Sequence, residues 1–321
     1  MPIVLPSDFH KNDIRLPGER FIMITVENLS KSAKQKQLFA VKKPILSNIS
    51  FSVEPGKIVA IIGQNGAGKS TVIKSILGFT SPDSGSVKVR EGVSVGYLPE
   101  NPYYYDYLTL RELLWFSASS FGMRKADFRG AVDGVARTVG MQGDLNKRLR
   151  TFSKGMTQRA GIAAAIVHDP DLLIFDEPMS GLDPVGRKMV FDLLDRLRSQ
   201  GKTVLFCSHI LSDVERLCDE VIILHQGRVS RQLSRNDLLL AQKGIEVVVP
   251  FSPKSYAQLQ GKEFIIKRFG EHIRLYLEAE NINGALDYLR EQGIDVVNVQ
   301  SSGVSLETVF NDVVGAGEGK Q

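Results

Sequence analysis

Cysteine is scarce: Cys207 and Cys218 are the only two in 321 residues, and they form no C-x-x-C pair. That excludes a disulfide scaffold and argues against a cysteine-bound metal. Long hydrophobic runs are missing as well. Segments such as 172–175 and 221–224 end in charge or polarity, far short of the roughly 18 uncharged apolar residues that a bilayer span needs. The opening MPIVLPSDFHKNDIRLPGER brings prolines and early acids where a secretory signal has a basic start and an apolar core, so a cytosolic location is expected. No charge sign dominates: 40 basic and 36 acidic side chains leave +4, which does not call for a nucleic-acid partner. What is present, 43% hydrophobic and 24% charged residues, is the composition of an ordinary globular protein.

The length predicts two domains, and the charge divides the same way. Residues 241–321 carry 8 basic and 11 acidic side chains, which leaves the first 240 at +7, a body suited to anions such as nucleotide phosphates. The expected organisation is an N-terminal extension (1–21), an α/β domain (22–240) with a helical insertion at about 107–165, and a small α/β domain (241–321) ending in the tail GAGEGKQ.

Strands are expected at 22–29 and 45–53, the second ending before Pro55-Gly56. The lysine-rich linker between them reads as a solvated loop. KIVAIIG predicts a strand that turns directly into a helix beginning near Gly68, and 86–98 returns to strand-like alternation. Thr109 with Glu112 three residues on fits a capping box that opens the helical insertion. From Leu172 onward, short apolar strands alternate with helical segments, which indicates βα units and a mainly parallel sheet. The small domain is expected to have strands near 245–250, 263–268, 273–278 and 294–299, with helices near 282–292 and 305–314.

Three motifs carry chemistry. Gly63, Gln64, Asn65, Gly66, Ala67, Gly68, Lys69, Ser70 and Thr71 spell GQNGAGKST after an apolar strand. Such a loop turns backbone N–H groups inward around phosphate oxygens, with Lys69 on the terminal phosphates and the Ser70 hydroxyl on Mg²⁺ at a helix N-terminus. The buried strand LLIFDEP ends in two carboxylates. Asp176 is placed to hold the Mg²⁺ shell, and Glu177 to orient and polarise an attacking water. In FSKGM, followed by Thr157-Gln158-Arg159, Ser153 and Gly155 open a helix at roughly 155–168 and form a second anion site.

In this order the motifs resemble those of the ATP-binding subunits of ATP-binding cassette (ABC) transporters, over about residues 22–235. FSKGM stands where the family has its LSGGQ signature, matching at Ser153 and Gly155 and departing at Phe152, Lys154 and Met156. The resemblance implies a P-loop NTPase fold of the ABC type, ATP and Mg²⁺ as ligands, and a head-to-tail dimer. Each ATP would lie between 63–71 of one subunit and Ser153–Gly155 of a second ATP-binding subunit, read as a second copy of this chain. It also implies that Asp183, in Ser180-Gly181-Leu182-Asp183, lies at the dimer seam and that His209 is the switch histidine. Glu100, in GYLPE, stands where the family has a glutamine that reaches Mg²⁺ and water; a carboxylate can meet Mg²⁺ but donates no hydrogen bond when ionised. Phe39 is the one aromatic available to stack on adenine between residues 30 and 44.

GYLPE, FSKGM and the later SLETVF are similar to the exporter branch whose ATPases serve a separate membrane permease, which would place the chain on the inner face of the cell membrane. PYYYDYL, after Glu100, is read equally as an interface with that permease or as packing for the helical insertion. Two rival readings are an importer ATPase with a C-terminal ligand-sensing domain and a non-transport ABC ATPase. The second would normally bring two cassettes in one chain or a long coiled-coil insertion, and this sequence has neither.

Overall fold

The computed structural model describes residues 22–33, 43–237, 244–260, 265–278, 281–301 and 305–318. The expected N-terminal extension, the linker and Phe39 therefore lie outside the described residues. The chain forms two compact units, Met1–Gln232 and Leu233–Gln321.

In the first unit, β1 (Ile24–Ser32), β2 (Pro44–Val53) and β4 (Ser84–Val89) make a three-stranded antiparallel sheet in the order β2-β1-β4. A six-stranded sheet joins β5 (Val95–Leu98), β6 (Leu172–Asp176), β7 (Thr203–Ser208), β3 (Ile58–Ile62), β8 (Glu220–His225) and β9 (Arg228–Ser234), in that order. Its first five strands are parallel. Every residue of β3, β6 and β7 is buried, as expected for central parallel strands covered on both faces. Their continuous apolar runs, IVAII and LLIF among them, leave no solvated side.

The strand-like alternation at 86–98 resolves into two strands, β4 and β5. Gly92 at φ 74° breaks the run, so β4 joins the antiparallel sheet and β5 the parallel one. Helix α1 (Lys69–Ile76) follows β3. Between β5 and β6 stand α2 (Leu110–Ser120), α3 (Lys125–Thr138) and α4 (Lys154–Ile166). Thr109 and Glu112 form the expected reciprocal capping box at the start of α2, which satisfies two backbone donors that would otherwise lack partners. Helices α5 (Pro184–Ser199) and α6 (Leu211–Leu217) complete the βα units.

The second unit is an antiparallel sheet of β11 (Ile265–Phe269), β12 (His272–Glu278), β10 (Gly244–Pro250) and β13 (Asn298–Ser301), in that order. It carries α7 (Pro253–Leu259), α8 (Ile282–Glu291) and α9 (Leu306–Glu318). Val247, Val249, Ile273 and Leu275 pack with Leu259, Ala285 and Leu289 as its core. Two expectations need correction. Helix α7 was not anticipated, although Ser252 caps it and Pro253 opens it. The last strand begins at Asn298 rather than 294, because Ile294 is buried in the core after α8 and the chain reaches the sheet only afterwards.

Candidate active site

Four neighbouring strands of the parallel sheet deliver the site from their C-terminal ends, the edge where ligands of α/β sheets bind. β5 leads to Glu100, β6 ends at Asp176 and leads to Glu177, β7 leads to His209, and β3 leads into the loop 63–68. Residues 64–71 except Ala67 line a cavity of about 370 Å³ together with Glu100, Asp176 and Glu177, and Ile45 adds an apolar wall.

The loop is built to hold an anion. Gly68 caps α1 at φ 104°, and a Cβ there would stand 2.5 Å from Cδ2 of Leu46, so only glycine fits. Helix α1 has no side-chain cap and no acid in its first turn, so the positive end of its dipole faces the cavity without an internal counter-charge. Lys69 is buried, and its Nζ donates to the Gly63 carbonyl at 2.7 Å and to that of Gln64 at 3.4 Å. A buried ammonium resting on the rim of its own loop is the right partner for a polyphosphate.

Opposite it stand three carboxylates. Burial raises the Asp176 carboxyl above its usual range; the hydrogen bond with Ser70 opposes this, while the charges of Glu100 and Glu177 push it further up and Lys69 draws it back. Glu100 thus crowds negative charge around Asp176, an arrangement that a divalent cation relieves. Among the described residues, no three His, Cys, Asp or Glu side chains are grouped to hold a metal unaided. The Ser70 hydroxyl beside Asp176 therefore fits Mg²⁺ held by one or two protein oxygens together with substrate phosphates, as that ion prefers.

Glu177 is nine-tenths buried at φ 53°, the left-handed region that a β-carbon resists. Its N–H donates to the Cys207 carbonyl at 3.2 Å, and its own carbonyl accepts from the Ser180 N–H at 3.0 Å. On its side chain, His209 Nδ1–H donates to Oε2 at 2.8 Å. In a neutral ring with that proton on Nδ1, Nε2 is an acceptor; donation to a phosphate requires the protonated ring.

Ser153, Gly155 and Asp183 do not line this cavity. Ser153 is exposed and caps α4, accepting from the Met156 N–H at 3.3 Å. A Cβ on Gly155 would lie 3.2 Å from the Gly181 carbonyl, so the FSKGM turn and the 180–183 loop touch. Asp183 caps α5 through the Gly186 N–H at 2.7 Å and meets Arg159 at 3.3 Å. Gln158, in the run after FSKGM, reaches the carbonyls of Glu177 and Pro178; nothing in the local sequence signals that long-range contact.

Tyr103, Tyr105 and Tyr107 are 88%, 64% and 64% exposed. Tyr104 is half-buried, its hydroxyl packed against Gly161 of the helical insertion, and desolvation raises the pKa of that hydroxyl.

The family profile described as ABC transporter matches residues 46–180. YxlF, an ABC transporter ATP-binding protein of Bacillus subtilis (strain 168), is 32% identical over 92% of this chain and all of its own length. The bacitracin transport ATP-binding protein BcrA of Bacillus licheniformis is 32% identical over 91% of this chain and 99% of its own. Among solved structures, an ATP-binding subunit of an ABC transporter superposes with a TM-score of 0.60 at 32% identity, covering 67% of this chain and 91% of that one. An ATP-binding cassette dimer bound to ADP and phosphate has a TM-score of 0.60 at 22% identity, which shows the shared fold. The chain belongs to the ATP-binding subunits of ABC transporters, with their P-loop NTPase fold, and it hydrolyses ATP bound with Mg²⁺.

Proposed function

We propose that two copies of this chain close on two ATP molecules and drive a separate membrane permease in export. The observation that carries this reading is the division of the phosphate machinery: Lys69, Ser70, Asp176 and Glu177 gather at one cavity, whereas Ser153 caps an exposed helix end outside it. An exposed anion-binding helix end with no ligand groups of its own calls for a triphosphate brought by another molecule.

Lys69 and the N–H groups of 64–71 bind and orient the phosphates. Ser70 and Asp176 hold Mg²⁺, with Glu100 beside them, and that ion supplies neutralisation of phosphate charge. Glu177 orients the attacking water and takes its proton, and His209 fixes the rotamer of that carboxylate through the 2.8 Å bond. Ser153 and Gly155 close over the partner's triphosphate, and Asp183 lies at the seam. Opening after hydrolysis would pass to the permease through the surface beside Glu100, where three exposed tyrosines offer anchors.

The separate permease is supported by the described residues, in which no helix is long and apolar enough to cross a membrane; the chain would then work at the inner face of the cell membrane. Export is supported by a relative whose name specifies it, the Nod factor export ATP-binding protein I of Rhizobium etli, 32% identical over 74% of this chain. The domain reading, a cassette over 22–240 with its helical part at 107–165 and a small domain over 241–321, belongs to the same proposal.

The test is the mass of the Glu177→Gln variant in light scattering. With ATP and Mg²⁺ it should run as a dimer, and Ser153→Glu should return it to monomer by placing a like charge against the phosphates. A variant that stays monomeric at saturating ATP overturns the dimer reading.

A further inference from the structure

The side chain of Gln158 is 3% exposed and lies on α4, little more than one turn inside the Ser153 cap. Its Nε2 stands 3.1 Å from the Glu177 carbonyl and 3.1 Å from that of Pro178. A carboxamide nitrogen carries two donors, and here both serve two consecutive backbone carbonyls. The peptide they hold is the one at φ 53°, a left-handed conformation that persists in a glutamate only where the surroundings over-determine it.

We propose that Gln158 is the positioning residue for the carboxylate of Glu177. His209 fixes the carboxylate from the side-chain end. The backbone end is fixed by the Cys207 carbonyl, by the Ser180 N–H and by Gln158. Of these, Gln158 alone comes from the helical insertion, so α4 holds the peptide from across the cavity edge. Without the amide, the peptide after β6 is free to relax toward ordinary φ, which swings the carboxylate away from where the water must sit. A misplacement of about 1 Å costs on the order of 100-fold in rate. ATP affinity rests on Lys69 and the 63–71 loop, which Gln158 does not touch, so the loss falls on kcat.

The inference rests on Glu177 being the base, and the experiment separates the two. Gln158→Met keeps the length and removes both donors. Its kcat should fall roughly 10- to 100-fold, with KM and the Kd for ATP within about twofold of wild type. Gln158→Glu presents an acceptor to two carbonyls when ionised and a single O–H donor when protonated. Relative to wild type at each pH, its turnover should therefore rise as pH falls from 8 to 6, a recovery that a purely structural role would not produce. Should Gln158→Met fail to fold, the pH series of Gln158→Glu decides alone. Turnover of Gln158→Met within twofold of wild type, or a Gln158→Glu profile parallel to wild type, overturns the proposal. Failure of the base reading shows separately, as full turnover of Glu177→Gln.

Discussion

Nδ1 of His209 lies 2.8 Å from Oε2 of Glu177, with the histidine side chain 59% exposed and the glutamate side chain 12% exposed. The two residues end adjacent parallel strands 32 positions apart. In the proposed mechanism this largely buried carboxylate, held at one rotamer by a ring that still meets solvent, accepts a proton from the attacking water.

Glu177→Gln should therefore keep ATP affinity and lower steady-state turnover about 100- to 10,000-fold, the range of a general base. His209→Ala should cost less, roughly 10- to 100-fold, because the base remains while its orientation is lost. Phosphate-release rates measured beside nucleotide Kd values check both. A Glu177→Gln protein that hydrolyses ATP at the wild-type rate removes the base assignment.

Lys69→Ala should act on binding. A buried ammonium hydrogen-bonded to its own loop contributes about 1.5–3 kcal/mol when it meets charged oxygens, equivalent to a Kd for ATP weakened about 10- to 150-fold. Calorimetric titration reads this directly, and an unchanged Kd would remove Lys69 from the phosphate site.

Glu100→Gln removes one of the two carboxylates whose charges act on Asp176. Because the charge of Glu100 raises the Asp176 carboxyl, the substitution should lower that pKa and weaken the pull on Mg²⁺. The Mg²⁺ concentration for half-maximal ATPase activity should rise severalfold, while activity at saturating Mg²⁺ stays measurable. A magnesium titration that superposes on wild type would exclude Glu100 from the cation's surroundings.

His168 stacks on Phe121 with ring centroids 3.7 Å apart, and burial lowers its pKa from 6.5 to about 4. The folded-state value lies below the unfolded one. The neutral ring's contribution is thus complete above pH 6.5 and is lost as pH falls toward 4. At pH 5 the loss is about 2 kcal/mol. Urea unfolding of wild type and His168→Leu at pH 7 and pH 5 should show the variant losing less stability on acidification by about that amount; equal losses would contradict it.

Much of the site was legible along the chain because its parts are local. GQNGAGKST needs only a strand before it and a helix after it, and LLIFDEP needs only burial; both conditions appear in the hydrophobic pattern. The capping box at Thr109 was readable for the same reason, since its two hydrogen bonds close within four residues. The 86–98 run showed its strand character but not that its two halves join different sheets, because alternation reports a strand without reporting its sheet, and α7 went unread because seven residues between strands carry little periodic signal.

Taken alone, the sequence determined the phosphate loop, the paired acids at a strand end, the family resemblance and the two-part layout, all of which depend on neighbours in the chain. Tertiary structure decided which side chains meet. It set His209 on Glu177, turned the Tyr104 hydroxyl inward while leaving Tyr103, Tyr105 and Tyr107 outside, kept Ser153 out of the Lys69 cavity, and brought Gln158 to the peptide of Glu177. Those contacts join residues up to dozens of positions apart, and sheet order and helix packing bring them together at distances that no local pattern encodes.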